Sequence, residues 1–312
     1  MRIGFKFPNN TEVYMNDKYS TWHKVKYIIF AFLPMLLFKG IATLTSSIVS
    51  VMLTAKHYAN GGTLETLNDY ITEVADADFA IKLTGIMHIA TLVVAIIIFL
   101  AIMKRAKDFG SPLKAFSGLK LPGIVVLMTG SAGLVSLHNI LWATLFPTLG
   151  EGYAETMEAS GLISFTVVSI LATLVLAPIN EEVLFRGISF ALLKKSGIKF
   201  WAVNVLQALF FGLAHLQYTM AMQGGIKYLN IIQGSYAFLL GLFLGYVREK
   251  TGSLWGSIIA HLVFNFIGTF GVSWLMGIGE TVYLISIIAG GIVLTTAGFF
   301  LMGRKRGVTA DE

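Results

Sequence analysis

The sequence predicts an all-α, polytopic membrane protein with about eight transmembrane helices. Composition is the first reason: the 312 residues are 55% hydrophobic and only 13% charged, roughly half the charged share of a soluble domain. The second is distribution. The apolar residues gather in runs that reach the about 20 residues a bilayer crossing takes, and mean hydropathy is +0.75. The third, the charge pattern of the connections, sets the number of spans.

The runs place spans at roughly 25–52, 82–103, 121–145, 161–193 (broken by Pro178), 200–218, 228–247, 253–271 and 281–302. Alternate connections differ sharply in charge. The N-terminal segment, the second, fourth and sixth connections and the tail hold 18 of the 23 basic residues, from Arg2 and Lys6 to Lys305 and Arg306. The other connections hold nine acids, among them Asp69, Glu73, Glu151 and Glu280. Basic residues collect on the cytoplasmic side, so eight spans put both termini in the cytoplasm. The same pattern accounts for the net charge of +6, and no nucleic-acid partner is expected. A polar segment precedes the first apolar run, and that run is too long for a signal peptide's apolar core. The chain reads as one integral membrane domain, residues 1–312, in the cell membrane.

Cysteine is absent, which excludes disulfides, thiol nucleophiles and cysteine metal sites. Ala237, Gly241 and Gly245 repeat at four-residue spacing, a stripe that lets two helices approach closely in lipid.

Ionisable groups within spans are costly and mark functional sites by default. They are Lys39, His88, His138, Glu181, Glu182, Arg186, His215 and His261, with Asn180 and Asn265 beside them. Glu182 and Arg186 stand four apart with the acid first, the favoured order for an ion pair on one helix face. Glu181 points roughly 100° away and faces something else. His261 and Asn265 are also four apart and share a face. Counted from the basic end of each span at ~1.5 Å per residue, Glu181 lies roughly 20 Å in, His215 roughly 24 Å and His261 roughly 16 Å. Three helices thus carry polar groups at similar depth. His88, and His138 with Asn139, fall nearer the opposite side and read as interhelical hydrogen-bonding groups. Lys39 has no assigned partner; it pairs with an acid or lines a water-filled cavity.

Residues 178–187, Pro-Ile-Asn-Glu-Glu-Val-Leu-Phe-Arg-Gly, fit an EExxxR pattern. Phe211 to His215 fits FxxxH, and His261 to Asn265 fits HxxxN. In order and spacing these resemble the CAAX-protease and bacteriocin-processing (CPBP, formerly Abi) intramembrane endopeptidases. The resemblance implies a catalytic core of about 161–271. Within it Glu181 would activate water with help from His215, while His261 and Asn265 would polarise the scissile carbonyl and stabilise the oxyanion. Glu182 and Arg186 would hold the first motif in place. It implies a peptide or protein substrate, lipidated proteins included, beside membrane lipids. An older reading of the family makes it zinc-dependent, and His215, His261 and Glu181 would then be the metal ligands. The reading preferred here is metal-free glutamate catalysis. Zincin, rhomboid-type and aspartyl sites lack their residues in this chain: there is no HExxH string, no Gly-x-Ser-Gly and no Asp within a span.

Two other functions compete. A non-catalytic scaffold or bacteriocin-immunity protein could keep the same residues for packing. A proton-coupled transporter could use buried carboxylates as a relay, but no inverted repeat of the Glu-Glu segment is visible.

Overall fold

A backbone in hydrocarbon has no water to bond, so each apolar run must satisfy its own N–H and C=O groups, which a helix does. A computed structural model describes residues 19–74, 76–105, 120–159, 166–216, 218–220 and 226–303. Within them the helices are α1 Thr21–Ala59, α2 Leu64–Val74, α3 Ala77–Arg105, α4 Leu121–Leu145 and α5 Pro147–Ala159. They continue as α6 Val167–Lys195, α7 Phe200–His215, α8 Ile231–Thr251, α9 Leu254–Ile278 and α10 Glu280–Gly303. A short antiparallel hairpin, β1 Tyr218–Met220 and β2 Ile226–Leu229, joins α7 to α8. The basic residues expected at Arg2, Lys6, Lys18, Lys107, Lys114 and 304–306 lie outside the described residues.

Among the described residues seven helices are long and apolar enough to cross a membrane. The eighth expected span is α7, which has only 16 residues, about 24 Å at 1.5 Å per residue. The chain leaves helical geometry after His215 and enters the hairpin. Two further helices, α2 and α5, occupy segments that read as acidic loops; α2 has no buried residue.

Local chemistry sets the ends. Ser20, Thr166 and Asn230 each accept a hydrogen bond from a first-turn backbone N–H at the starts of α1, α6 and α8, the usual work of such residues at that position. Gly252 ends α8 at φ 65°, a left-handed conformation open to glycine at little cost.

Pro178 does not break α6 as expected. The helix runs through it because the preceding turn, Leu171–Leu176, is π-helical. In that register the Ala177 N–H bonds Ala172 O, and the next donor in line would be the N–H that proline lacks. The Thr173 carbonyl is left over, and Asn265 Nδ2 donates to it at 2.9 Å. A second π-helical turn covers Val183–Ser189.

The four helices α6, α7, α8 and α9 pack around one another. Helices α1 and α3 lean on α6, α1 also meets α7, and α4 packs on α8 and α9 with α10 behind it. Two close approaches depend on small residues. A Cβ on Gly241 of α8 would lie 2.9 Å from Ala208 Cα of α7. A Cβ on Gly298 of α10 would collide with the Leu127 backbone of α4. Replacing Gly298 with Leu should force α10 away from α4 and destabilise the fold by about 1–3 kcal/mol, the usual range for overpacking. Thermal unfolding of the purified variant in detergent measures it, and an unchanged midpoint contradicts the close approach.

Candidate active site

The site grows from α6, where Asn180, Glu181, Glu182 and Arg186 are all buried. Glu182 and Arg186 lie one turn apart, and Arg186 Nη1 donates to Glu182 Oε1 at 2.7 Å with both side chains fully buried. The guanidinium also donates to the Gly241 carbonyl on α8 at 3.3 Å and lies over the Phe211 ring of α7, 4.5 Å from its centre. From α9, His261 Nδ1 donates to the same Oε1 of Glu182 at 3.0 Å. One carboxylate oxygen thus receives two charged or polar donors from different helices.

Glu181 takes a different direction. Its Oε1 faces His215 Nε2 at 3.7 Å and its Oε2 faces His261 Nε2 at 3.8 Å. Both distances exceed a direct hydrogen bond. The tautomers follow from the outer nitrogens. His215 Nδ1 donates to the Phe211 carbonyl at 2.9 Å, so its neutral ring turns a lone pair toward Glu181. His261 gives its Nδ1 proton to Glu182, so its Nε2 can donate only as imidazolium. Phe211 packs edge-on against both rings, at 4.4 Å from His215 and 5.9 Å from His261, and closes the space between them to apolar atoms.

Of the residues marked in the sequence, the structure brings Glu181, Glu182, Arg186, His215 and His261 into one cluster. Asn265 lies one turn beyond His261, and its hydrogen bond goes to α6 backbone at Thr173. His138 stays apart on α4, bonded to its neighbour Asn139 at 3.0 Å.

His88 corrects the sequence reading. It belongs with the cluster, not with the opposite side. Asn180 Nδ2 donates to His88 Nδ1 at 3.1 Å, and the ring is within electrostatic reach of Glu181, His215 and His261. The signal was present: counted from Lys104, the basic end of its span, His88 is roughly 24 Å deep at 1.5 Å per residue, level with His215. Tyr236 on α8 gave no such signal. It lies within electrostatic reach of Glu181 and beside Tyr153 of α5. Burial pushes the Tyr153 phenol up to about 12, so it stays protonated at any physiological pH. Among the described residues Lys39 pairs with no acid; its Nζ donates to the Leu216 carbonyl at 2.6 Å.

A zinc ion would need at least three converging protein donors. Among the described residues no three His, Asp or Glu side chains are grouped to hold a metal ion, and no step is derived through one.

Residues 163–267 match the family of type II CAAX prenyl endopeptidases, Rce1-like, an interval that holds every residue of the three motifs. This stretch of the chain is similar to that family, the one its three motifs resemble. Among curated relatives, CAAX prenyl protease 2 of Arabidopsis thaliana is 28% identical over 125 residues, 38% of this chain and 40% of its own length. An uncharacterized 24.3 kDa protein of Escherichia coli is 26% identical over 153 residues, 49% of this chain and 65% of its own. The chain therefore spans less than two thirds of either relative. No solved structure matches it. In this segment, the Glu182–Arg186 pair gives a direct test. Arg186→Ala leaves a carboxylate buried without its partner, and such a loss costs about 3–5 kcal/mol. The variant should unfold at markedly lower temperature in detergent, whereas Glu182→Gln with Arg186→Met, which removes both charges, should recover much of the loss.

Proposed function

We propose that the protein is an intramembrane endopeptidase of the CAAX-protease type, hydrolysing a peptide bond in a membrane-associated peptide or protein. The observation that carries this is a buried carboxylate, Glu181, with each oxygen facing the Nε2 of a different histidine. A water bound to Glu181 Oε1 and His215 Nε2 would lie where both can accept its protons. Glu181 takes one proton as the oxygen attacks the scissile carbonyl. The carbonyl becomes an oxyanion, and imidazolium His261, held between Glu181 and Glu182, donates Nε2–H to it. Asn265 has a second amide N–H beyond the one given to Thr173, available for the same oxyanion. The proton on Glu181 then passes to the leaving amine, and the peptide bond breaks. Arg186 and Glu182 keep the His261 ring oriented through Nδ1.

The substrate is a peptide or protein that reaches this depth, with lipidated proteins as one class. The membrane is the cell membrane, with both termini cytoplasmic. Lys194, in the last turn of α6, and Glu249, in the last turn of α8, pair at 2.9 Å, so the basic ends of these two helices lie on the same side, in keeping with the positive-inside pattern.

Glu181→Gln keeps the shape and removes the base. Cleavage of a peptide that the wild type cuts should fall on the order of 10²- to 10⁴-fold, the typical range for a positioned acid–base group, with the unfolding temperature retained. Cleavage at the wild-type rate would sink the proposal. Treatment with a strong chelator, followed by metal analysis of the active fraction, should leave the rate unchanged. A loss restored by zinc overturns the metal-free mechanism.

A further inference from the structure

Helix α7 ends at His215, and a helix end leaves carbonyls with no partner in the helix. At the depth of this site they cannot rely on water. The Leu216 N–H turns back onto Gly212 and Leu213, and the His215 ring adds a bond to the Phe211 carbonyl one turn earlier. The carbonyl that follows, at Leu216, accepts from Lys39 Nζ of α1 at 2.6 Å. An ammonium at a helix C-terminus is favoured by the helix dipole. The neighbouring residue, Phe38, lies 6.4 Å from the His215 ring and 6.1 Å from that of His88. Consecutive residues of α1 therefore hold the His215 ring and the backbone beside it. Among the described residues no carboxylate forms an ion pair with Lys39. A half-buried cation that neutralises no acid is costly within a membrane, and its retained contact is this carbonyl.

We propose that Lys39 is a positioning residue for His215: from α1, outside the matched family segment, it pins the end of α7 so that Nε2 of His215 faces Glu181. The inference rests on the reading of His215 as the partner of Glu181 in water activation. Without the ammonium, the last turn of α7 has no donor for Leu216 and the ring loses its fixed distance to Glu181. Acting through the backbone beside His215, the lysine affects the chemical step and not substrate binding.

The test uses the full chain in detergent or proteoliposomes and a peptide cut in a Glu181-dependent way. Lys39→Met should lower kcat on the order of 10- to 100-fold, as expected for a small displacement of a catalytic group. KM should stay within about 2-fold, the mark of a loss felt beyond the ground state. Lys39→Arg, which keeps a charged donor, should restore most of the rate. A second measurement needs no turnover. The ring ¹⁵N resonances of His215, assigned by their disappearance in His215→Gln, should move in Lys39→Met and stay near wild type in Lys39→Arg. Unchanged kcat with unmoved resonances overturns the proposal. So does a rise in KM alone, which would make Lys39 a group that binds an anionic part of the substrate. If the wild type cuts no peptide, the endopeptidase reading falls, and the resonances still decide the role of Lys39. If Lys39→Met does not fold, Lys39→Gln, a neutral donor, takes its place with the same readouts.

Discussion

The buried pair of Glu182 and Arg186 is the constraint on which the rest of the centre depends. Two full charges in an apolar interior are tolerated only where geometry and further hydrogen bonds compensate their lost hydration. The compensation comes from α7, α8 and α9. Arg186 reaches the Gly241 carbonyl of α8 and the Phe211 ring of α7, and Glu182 receives His261 of α9. A pair that begins as a one-turn contact on α6 thus fixes the relative placement of four helices. It also frees Glu181, because the arginine is occupied on a helix face roughly 100° away.

Close packing is what lets the pair reach so far. The Gly241 carbonyl accepts from Arg186 and also from Gln207 Nε2 of α7, at 2.8 Å. Both donors reach it because α7 and α8 touch backbone to backbone at Ala208 and Gly241. A larger residue there would separate the helices and take the acceptor away from the arginine. Pro178 has a parallel effect on α6. The N–H it lacks leaves the Thr173 carbonyl exposed, and Asn265 fills that need, tying α9 to α6 one turn from His261.

Much of this was legible in the sequence, for reasons specific to each residue. The span 121–145 is recovered residue for residue, because a polar segment and Pro122 mark its start. The Glu182–Arg186 contact follows from spacing within one helix. Contacts between helices were harder to read. That His261 meets Glu182 through one ring nitrogen and faces Glu181 through the other depends on the rotation of α9 against α6, which no spacing encodes. His88 makes the interhelical hydrogen bond expected of it, to Asn180 of α6, but its level beside Glu181 was missed because its own helix carries no acid at that depth. Lys39 was opaque because its partner is a main-chain carbonyl, and any residue at position 216 would supply one. The helices α2 and α5 were missed because their acids looked like loop, although an acidic face suits a helix lying outside the apolar layer.

The contacts made by α1 and α4 bear on how the protein is assembled. His23 of α1 bonds the carbonyl of Lys195, and Lys39 bonds that of Leu216, across 172 and 177 residues of chain. Lys120, at the start of α4, does the same for Met302, 182 residues away. During synthesis the helix bearing Lys39 reaches the bilayer long before the carbonyl that satisfies it has been made. Until α7 has been made, that ammonium lacks the acceptor it has in the folded protein, so the final seat of α1 depends on a helix synthesised much later.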